Sequence, residues 1–149
     1  MSQLDLFRLD SRVALVPGGG GAIGSAMAFG FASAGARVTV VDQTQDRADA
    51  AAERIRAVGG EALALAADVT DAAECERIVA ATVERFGRLD IVLNAVGGGA
   101  GKVLFNAEEY PKDAWDWIYE LNVRSTLLAS QAAVRAMIAG GHGGRVINI

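Results

Sequence analysis

The sequence predicts an α/β protein built on one doubly wound parallel sheet, with helices covering both faces. Short runs of consecutive apolar residues alternate along the chain with longer segments of helical periodicity, as in parallel strands joined by crossover helices. Glycines stand at most of the junctions between these segments. The 149 residues, 52% hydrophobic and 21% charged, are typical of one globular domain with a sizeable core.

The first strand, the first helix and the second strand follow one another closely. Residues 13–16 form an apolar run that ends in glycines, which predicts a strand followed by a turn. Apolar residues then recur at helical spacing over 22–34, and Gly35 ends that helix. Residues 37–42 are rich in β-branched side chains and predict the second strand, which ends at Asp42.

The alternation continues through a second helix, a third strand and a third helix. A helix is predicted over 47–58, before a glycine pair, and a strand over 62–67. Asp71, with Glu74 three residues later, is a capping-box sequence that starts a helix running to residue 86. These segments repeat the first unit and extend the sheet.

The last predicted elements are a fourth strand, a long helix and a fifth strand. The fourth strand covers 89–94, and a loop rich in glycine over 97–101 follows it. A continuous helix is predicted from about 112 to 138, and residues 145–149 predict the fifth strand. We expect that strand to form an uncovered edge, which favours pairing with another chain or aggregation.

Charge and composition exclude several classes of function. The net charge is −4 with no basic stripe, so nucleic acid is not expected as a partner. No apolar stretch matches a signal peptide or a spanning helix, so no membrane association is expected. Cys75 is the only cysteine and no Cys or His pair has metal-ligand spacing, which predicts a cytoplasmic protein without a metal site. His142 lies in a glycine-rich loop without a titratable neighbour, so we expect no catalytic role for it.

A run of glycines joins the first strand to the first helix. There, glycines let backbone N–H groups approach a pyrophosphate at the positive end of the helix. Gly19, Gly21 and Gly24 fit the G-x-G-x-x-G pattern of dinucleotide folds, while Gly18 and Gly24 fit a second spacing. The alternative is a permissive turn without a ligand.

Asp42 ends the second strand, 18 residues after Gly24. A carboxylate at this place can accept hydrogen bonds from both hydroxyls of an adenosine ribose, which favours NAD over NADP. No Lys or Arg among residues 17–24 offsets the repulsion between this carboxylate and a 2′-phosphate. The alternative is an acidic strand end that faces water.

The first motif resembles that of the short-chain dehydrogenase/reductase family. The family's Thr-Gly-x-x-x-Gly-Ile-Gly is matched by Gly18, Ile23 and Gly24, whereas Pro17 and Ala22 depart from it. The resemblance extends over almost the whole chain. It implies a Rossmann fold with strand order 3-2-1-4-5 and a single NAD(P)-binding domain over residues 1–149.

Further motifs of the same family assign the other binding residues. The resemblance implies contacts with the pyrophosphate by Gly18, Gly19, Ile23 and Gly24. Asp68 and Val69 resemble the pair that contacts the adenine ring. A stretch similar to the family's Asn-Asn-Ala-Gly motif, beneath the adenosine side, comprises Asn94, Ala95, Val96 and Gly97. Asn122 matches the Asn of the catalytic tetrad, which lies at a helix distortion and holds a water of the proton relay; the alternative is an ordinary helical Asn.

The resemblance implies an NAD-dependent oxidoreductase that interconverts a secondary alcohol and a ketone. The family's Tyr-x-x-x-Lys is absent, because Tyr110 and Tyr119 are followed at the fourth position by Ala114 and Val123. The resemblance implies that the family's Ser would come shortly after Asn148-Ile149. We therefore expect a C-terminally incomplete domain without the final strands, which supplies the cofactor-binding part and is inactive alone. The alternative is a non-catalytic dinucleotide-binding or interaction module.

Aromatic residues crowd the start of the long helix. Trp115, Trp117 and Tyr119 suggest either core packing or a subunit interface. The family pairs this helix with its mate, so the resemblance implies a homodimer or homotetramer. In the loop before the helix, Lys102 and Asn106 are candidates for contacts with a small alcohol or ketone substrate.

Overall fold

The computed structural model describes residues 3–99 and 104–149. In these ranges five parallel strands form one sheet in the order β3-β2-β1-β4-β5. The strands are β1 (Val13–Pro17), β2 (Arg37–Asp42), β3 (Ala62–Ala66), β4 (Ile91–Asn94) and β5 (Arg145–Asn148). The predicted doubly wound sheet and its strand order are confirmed.

Helices cover both faces of the sheet. They are α1 (Ala22–Ser33), α2 (Gln45–Arg56), α3 (Ala72–Phe86), α4 (Lys112–Tyr119) and α5 (Ser125–Gly140). Short 3₁₀ segments at Gln3–Phe7 and Ala107–Glu109 were not predicted, because so few residues carry no periodicity.

The core has two layers because β1 is buried on both faces. Val13 and Leu15 pack into the cluster formed with α3 and α5. Ala14 and Val16 pack into the cluster formed with α1 and α2. Continuous apolar residues are therefore needed on β1, which is the pattern that predicted a parallel sheet.

The long helix predicted over 112–138 is interrupted. Residues Glu120–Arg124 form a π-helical turn between α4 and α5. Three side chains in or near this turn bond to carbonyl groups four residues earlier: Asn122 Nδ2 donates to Ile118, Ser125 Oγ to Leu121 and Thr126 Oγ1 to Asn122. Such side-chain bonds accompany a widened turn that periodicity alone does not reveal.

The capping box predicted at α3 is half formed. Asp71 is the N-cap and its carboxylate accepts from the N–H of Ala73 at 2.8 Å. Glu74 instead receives two hydrogen bonds from Arg77, at 3.0 and 2.7 Å. A charge-assisted bond to a guanidinium is stronger than a bond to a neutral N–H group, which explains the difference.

The aromatic residues of α4 are exposed, so the core interpretation is wrong. Trp115, Trp117 and Tyr119 are 61%, 40% and 51% exposed. No residue of α4 is buried, because the helix packs chiefly against the π-helical turn that follows it and not against a strand of the sheet.

Asp90 ties the start of β1 to the start of β4. Its carboxylate is buried and accepts from the N–H of Val13 at 3.0 Å. Two guanidinium groups pair with the same carboxylate, Arg12 at 3.0 Å and Arg88 at 2.5 Å. At the other end of the pair, the N–H of Ala95 donates to Pro17 at 2.9 Å. The two strands are thus fixed at both ends.

Candidate functional site

The carboxyl ends of β1 to β4 border a cleft of about 240 Å³. It lies where the strand order reverses, between β1 and β4, which is the usual ligand position in an open parallel sheet. The cleft is smaller than those that enclose a whole drug-sized ligand, so it fits one part of a longer molecule. Seven residues predicted to bind a ligand line it: Gly18, Asp42, Asp68, Val69, Ala95, Val96 and Gly97.

The turn after β1 leaves no room for side chains. Gly18 has a φ of +77°, and a β-carbon there would lie 2.5 Å from the carbonyl oxygen of Ala95. A β-carbon on Gly24 would collide with the carbonyl oxygen of Gly18. Glycine at both positions therefore lets α1 start directly against the ends of β1 and β4.

Three predicted residues of this turn do not line the cleft. Gly19 is buried, and its N–H donates to the carbonyl of Val41 at 2.8 Å. Gly24 is buried against Gly18, and Ile23 is 60% exposed in the first turn of α1. Gly19 and Gly24 thus shape the turn by packing.

The start of α1 is suited to an anion. Its N-cap, Gly21, makes no side-chain cap bond, and the first turn carries no acidic residue. The first N–H groups of a helix have no partner within the helix, and the helix dipole adds positive potential there. A pyrophosphate fits this combination of free donors and close backbone approach.

The carboxylate of Asp42 is inside the protein, so the interpretation as a solvated strand end is wrong. Its side chain is 6% exposed, and Arg47 Nη1 lies 3.4 Å from its Oδ1. A β-carbon on Gly20 would lie 2.6 Å from Asp42 Oδ2. The acidic group is therefore packed directly against the glycine turn.

Seven other residues line the cleft. Gly21 was part of the glycine pattern, whereas sequence reasoning missed the other six: Val41, Gln43, Arg47, Ala67, Thr70 and Leu121. Arg47 matters most, because it is a cation. It lies outside residues 17–24, the segment in which a compensating charge was sought. The signal was available: only two residues separate the end of β2 from the start of α2, so the first turn of α2 must return past the carboxyl end of that strand.

Asp68 and Val69 follow β3 at the cleft wall. Asp68 Oδ1 accepts from the N–H of Thr70 at 3.0 Å and from its hydroxyl at 2.7 Å. This local turn fixes the orientation of the carboxylate. Val69 is 5% exposed and belongs to the core cluster beneath it.

The side chain of Asn94 is buried inside the protein and does not line the cleft. It is 2% exposed, and its Nδ2 donates to Ser130 Oγ at 2.9 Å and to Asn148 Oδ1 at 2.8 Å. Its Oδ1 is buried without a hydrogen-bond partner among the described residues. Asn94 thus joins β4 to α5 and β5, while Ala95, Val96 and Gly97 form the cleft wall.

Asn122 lies in the π-helical turn, and its side chain is fixed from several directions. Its Oδ1 accepts from the N–H of Gly98 at 3.0 Å, and its Nδ2 donates to the carbonyl of Gly98 at 3.2 Å. A β-carbon on Gly97 would lie 2.7 Å from Asn122 Oδ1. The residue before it, Leu121, lines the cleft. Asn122 thus makes the bond to a nearby carbonyl that an ordinary helical Asn makes, at Ile118, and also joins the loop after β4 to the π-helical turn.

Other chemistry has little support in the parts of the chain that the structure describes. Burial, followed by the charges of Asp71 and Glu76, raises the pKa of the Cys75 thiol to about 11. No group of His, Cys, Asp and Glu side chains in 3–99 and 104–149 could hold a metal ion. No helix in those ranges has the length and apolar character to cross a membrane. Asn106 is exposed, and Lys102 lies outside the described residues.

Comparisons with known proteins agree on one family. A family model described as short chain dehydrogenase matches residues 12–149. An uncharacterized oxidoreductase of Mycobacterium tuberculosis is 41% identical over 146 residues, which cover 98% of this chain and 54% of that protein. A sorbitol dehydrogenase of Cereibacter sphaeroides is 39% identical over 145 residues, covering 95% of this chain and 53% of the relative.

A solved structure gives the same result. A 7α-hydroxysteroid dehydrogenase in complex with NADH and 7-oxo glycochenodeoxycholic acid matches with a TM-score of 0.89 and 34% sequence identity. The match covers 100% of this chain and 56% of the other. The chain spans about half the length of the curated relatives that it matches. The glycine turn, the sheet order and these matches together show that the chain belongs to the short-chain dehydrogenase/reductase family, whose members are oxidoreductases with a Rossmann-type fold.

Proposed function

We propose that the chain binds NAD(H) as the coenzyme-binding part of an oxidoreductase that interconverts a secondary alcohol and the matching ketone. The observation that carries this proposal is the contact between the glycine turn and Asp42. A β-carbon on Gly20 would lie 2.6 Å from Asp42 Oδ2. A dinucleotide requires these two groups side by side, because its pyrophosphate is attached to the adenosine ribose.

The pyrophosphate, the ribose and the adenine of the coenzyme each have a matching group in or beside the cleft. The pyrophosphate binds the turn between Gly18 and Gly24 and the free N–H groups at the start of α1. Asp42 accepts hydrogen bonds from both ribose hydroxyls, which favours NAD over NADP. Asp68 and Val69 contact the adenine. The adenosine side lies on a wall formed by Ala95, Val96 and Gly97, which Asn94 supports from behind.

The chain also supplies one member of the proton relay. When bound, NAD would supply the hydride acceptor, and Asn122 would hold a water of the proton relay. The side-chain amide of Asn122 is bonded to Gly98 and Ile118, which fixes the π-helical turn in which that water would be held. Residues 1–149 hold no Tyr-x-x-x-Lys pattern. We therefore expect these residues alone to bind coenzyme without turnover, as one NAD(P)-binding domain.

An alcohol or ketone substrate is supported by the relatives. One is named as a sorbitol dehydrogenase and another as a hydroxysteroid dehydrogenase, and both names refer to an alcohol. The single cysteine, Cys75, is free of any disulfide, which suits a reducing compartment such as the cytoplasm.

We further propose a homodimer formed through the outer face of α4 and α5. Four apolar side chains at intervals of four residues are 49% to 61% exposed: Trp115, Tyr119, Val123 and Leu127. An apolar row of this kind on a helix is typical of a protein interface. The interface does not involve the cleft, so dimer formation and coenzyme binding can be measured separately.

Titration of the folded full-length protein with NADH tests the proposal. We expect enhanced NADH fluorescence, and reduced affinity in Asp42→Ala because two hydrogen bonds to the ribose are lost. The substrate class is tested by measuring whether the full-length protein oxidises polyols or hydroxysteroids with NAD as the acceptor. A folded protein that gives no change in NADH fluorescence and no calorimetric signal would show that the proposal is wrong.

A further inference from the structure

Among the described residues, Arg47 is the only cation that lines the cleft. It is paired with Asp42, the carboxylate that we propose selects the coenzyme. It lies in the first turn of α2, and its Nη1 is 3.4 Å from Asp42 Oδ1. The two side chains differ in exposure, 58% for Arg47 and 6% for Asp42. The Asp42 carboxylate is therefore held inside the protein, while the Arg47 guanidinium lies at the rim of the cleft and can move.

The position of Arg47 also brings it to the glycine turn. A β-carbon on Gly20 would lie 2.9 Å from the β-carbon of Arg47, and one on Gly21 would lie 3.8 Å from Arg47 Nη2. Because neither glycine has a side chain, the arginine spans the gap between Asp42 and the N-cap of α1. A phosphate on the adenosine ribose would enter this gap.

We propose that Arg47 is a second determinant of coenzyme choice, which partly neutralises Asp42 and offers its guanidinium to a ribose 2′-phosphate. The preference for NAD(H) over NADP(H) is then smaller than Asp42 alone would impose. This inference rests on the proposed function, since it concerns the coenzyme bound in the same cleft.

Two physical arguments support this role. A lone buried carboxylate repels a phosphate strongly, because the effective dielectric constant inside the cleft is low, and a neighbouring cation reduces that repulsion. A guanidinium also binds phosphate oxygens in a bidentate manner, more strongly than a neutral donor does. Asp42 remains the dominant determinant of the coenzyme preference. If Arg47 turned fully to the phosphate, it would leave the buried carboxylate of Asp42 unpaired.

The experiment is a double-mutant cycle on the full-length protein. Dissociation constants for NADH and NADPH are measured at low ionic strength for the wild type, Arg47→Gln, Asp42→Asn and the double variant. We expect Arg47→Gln to raise the ratio of the NADPH constant to the NADH constant about fivefold. Asp42→Asn should reverse the preference, and adding Arg47→Gln to it should weaken NADPH binding about tenfold with little effect on NADH.

Arg54→Gln is the matched control. Arg54 is on the same helix, and its guanidinium lies 6.0 Å from the ring centre of Phe29, outside the cleft lining. The substitution removes the same charge, so it reports any general effect of net charge, and the ratio should stay at the wild-type value.

The outcomes separate the two proposals. If the protein binds both coenzymes and Arg47→Gln changes their affinities equally, or changes the ratio no more than Arg54→Gln, the role of Arg47 is refuted while the proposed function stands. If the folded wild type binds neither coenzyme, the proposed function is refuted and the inference with it. Arg47 is exposed and its single variant is expected to fold, so this comparison does not depend on the Asp42 variants.

Discussion

Asn122 bonds both backbone polar groups of Gly98, its N–H and its carbonyl. Its amide oxygen accepts from the Gly98 N–H at 3.0 Å, and its amide nitrogen donates to the Gly98 carbonyl at 3.2 Å. The same nitrogen donates to Ile118 at 2.9 Å. One side chain therefore links the loop after β4 to the π-helical turn.

Replacing Asn122 by Asp tests this link. The substitution keeps the shape but places a carboxylate oxygen against two carbonyl oxygens, so we expect the free energy of unfolding to fall by about 1–3 kcal/mol. Urea unfolding measures the loss. Asn106→Asp is the control, since Asn106 is exposed and makes no cap bond. Equal effects of the two substitutions would contradict the interpretation.

The glycine turn permits a sharper comparison within one helix. Gly24→Ala places a methyl group against the Gly18 carbonyl, so we expect loss of NADH binding and about 2–4 kcal/mol of destabilisation. Gly30→Ala, on the same helix, meets no atom within 4 Å and should stabilise α1 by about 0.5–1 kcal/mol. Thermal unfolding and NADH titration give both results. Normal binding by Gly24→Ala would contradict the proposed close approach.

The Asp90 carboxylate predicts a dependence of stability on pH. Burial alone would raise its pKa, but hydrogen bonds from Arg88, the N–H of Val13 and Arg12 outweigh that effect and lower the pKa below its ordinary value. A lowered pKa means that the ionised group stabilises the folded state above the unfolded-state pKa of about 4. This contribution is lost as the pH falls below about 4 through the folded-state pKa.

Asp90→Asn tests this prediction. We expect a loss of about 2–4 kcal/mol at neutral pH, because two guanidinium groups lose a buried partner, and a weaker decrease in stability as the pH falls below about 4. Urea unfolding across this range measures both effects. Asp10→Asn is the control, because Asp10 pairs with Arg8 at the exposed surface. A pH profile identical to that of the wild type would argue against the role of Asp90.

If the dimer forms as proposed, a substitution in its interface should halve the mass of the particle in solution. Leu127→Glu places a charge in the exposed apolar row of α4 and α5, so we expect a dimeric protein to become monomeric at micromolar concentration. Val58 is also exposed, 62% against 54% for Leu127, but follows α2, and Val58→Glu should leave the dimer intact. Sedimentation velocity distinguishes the species. A monomeric wild type would refute the interface.

Cys75 should be unreactive in the native protein. Its thiol is buried, donates to the carbonyl of Val69 at 3.4 Å and has a pKa raised to about 11, so almost no thiolate exists at pH 8. We expect a disulfide reagent to label it only when the protein unfolds. Labelling rates measured with increasing urea should follow unfolding, and rapid labelling of the native protein would contradict the buried position.

The amino-acid sequence determined the order and type of the main elements and the place of the glycine turn. These features depend on local periodicity and on glycines at fixed distances from a strand, which neighbouring residues define. Asp42 was identified for the same reason, because it directly ends β2.

Only the tertiary structure decided which groups meet across the fold. Arg47 reaches Asp42 because α2 turns back over the carboxyl end of β2, and Asn94 turns inward because Ser130 and Asn148 offer partners there. The exposure of Trp115 and the π-helical turn that follows α4 likewise depend on how α4 and α5 pack against the rest of the fold. Such contacts join residues far apart in the chain or depend on burial, and spacing along the sequence does not encode them.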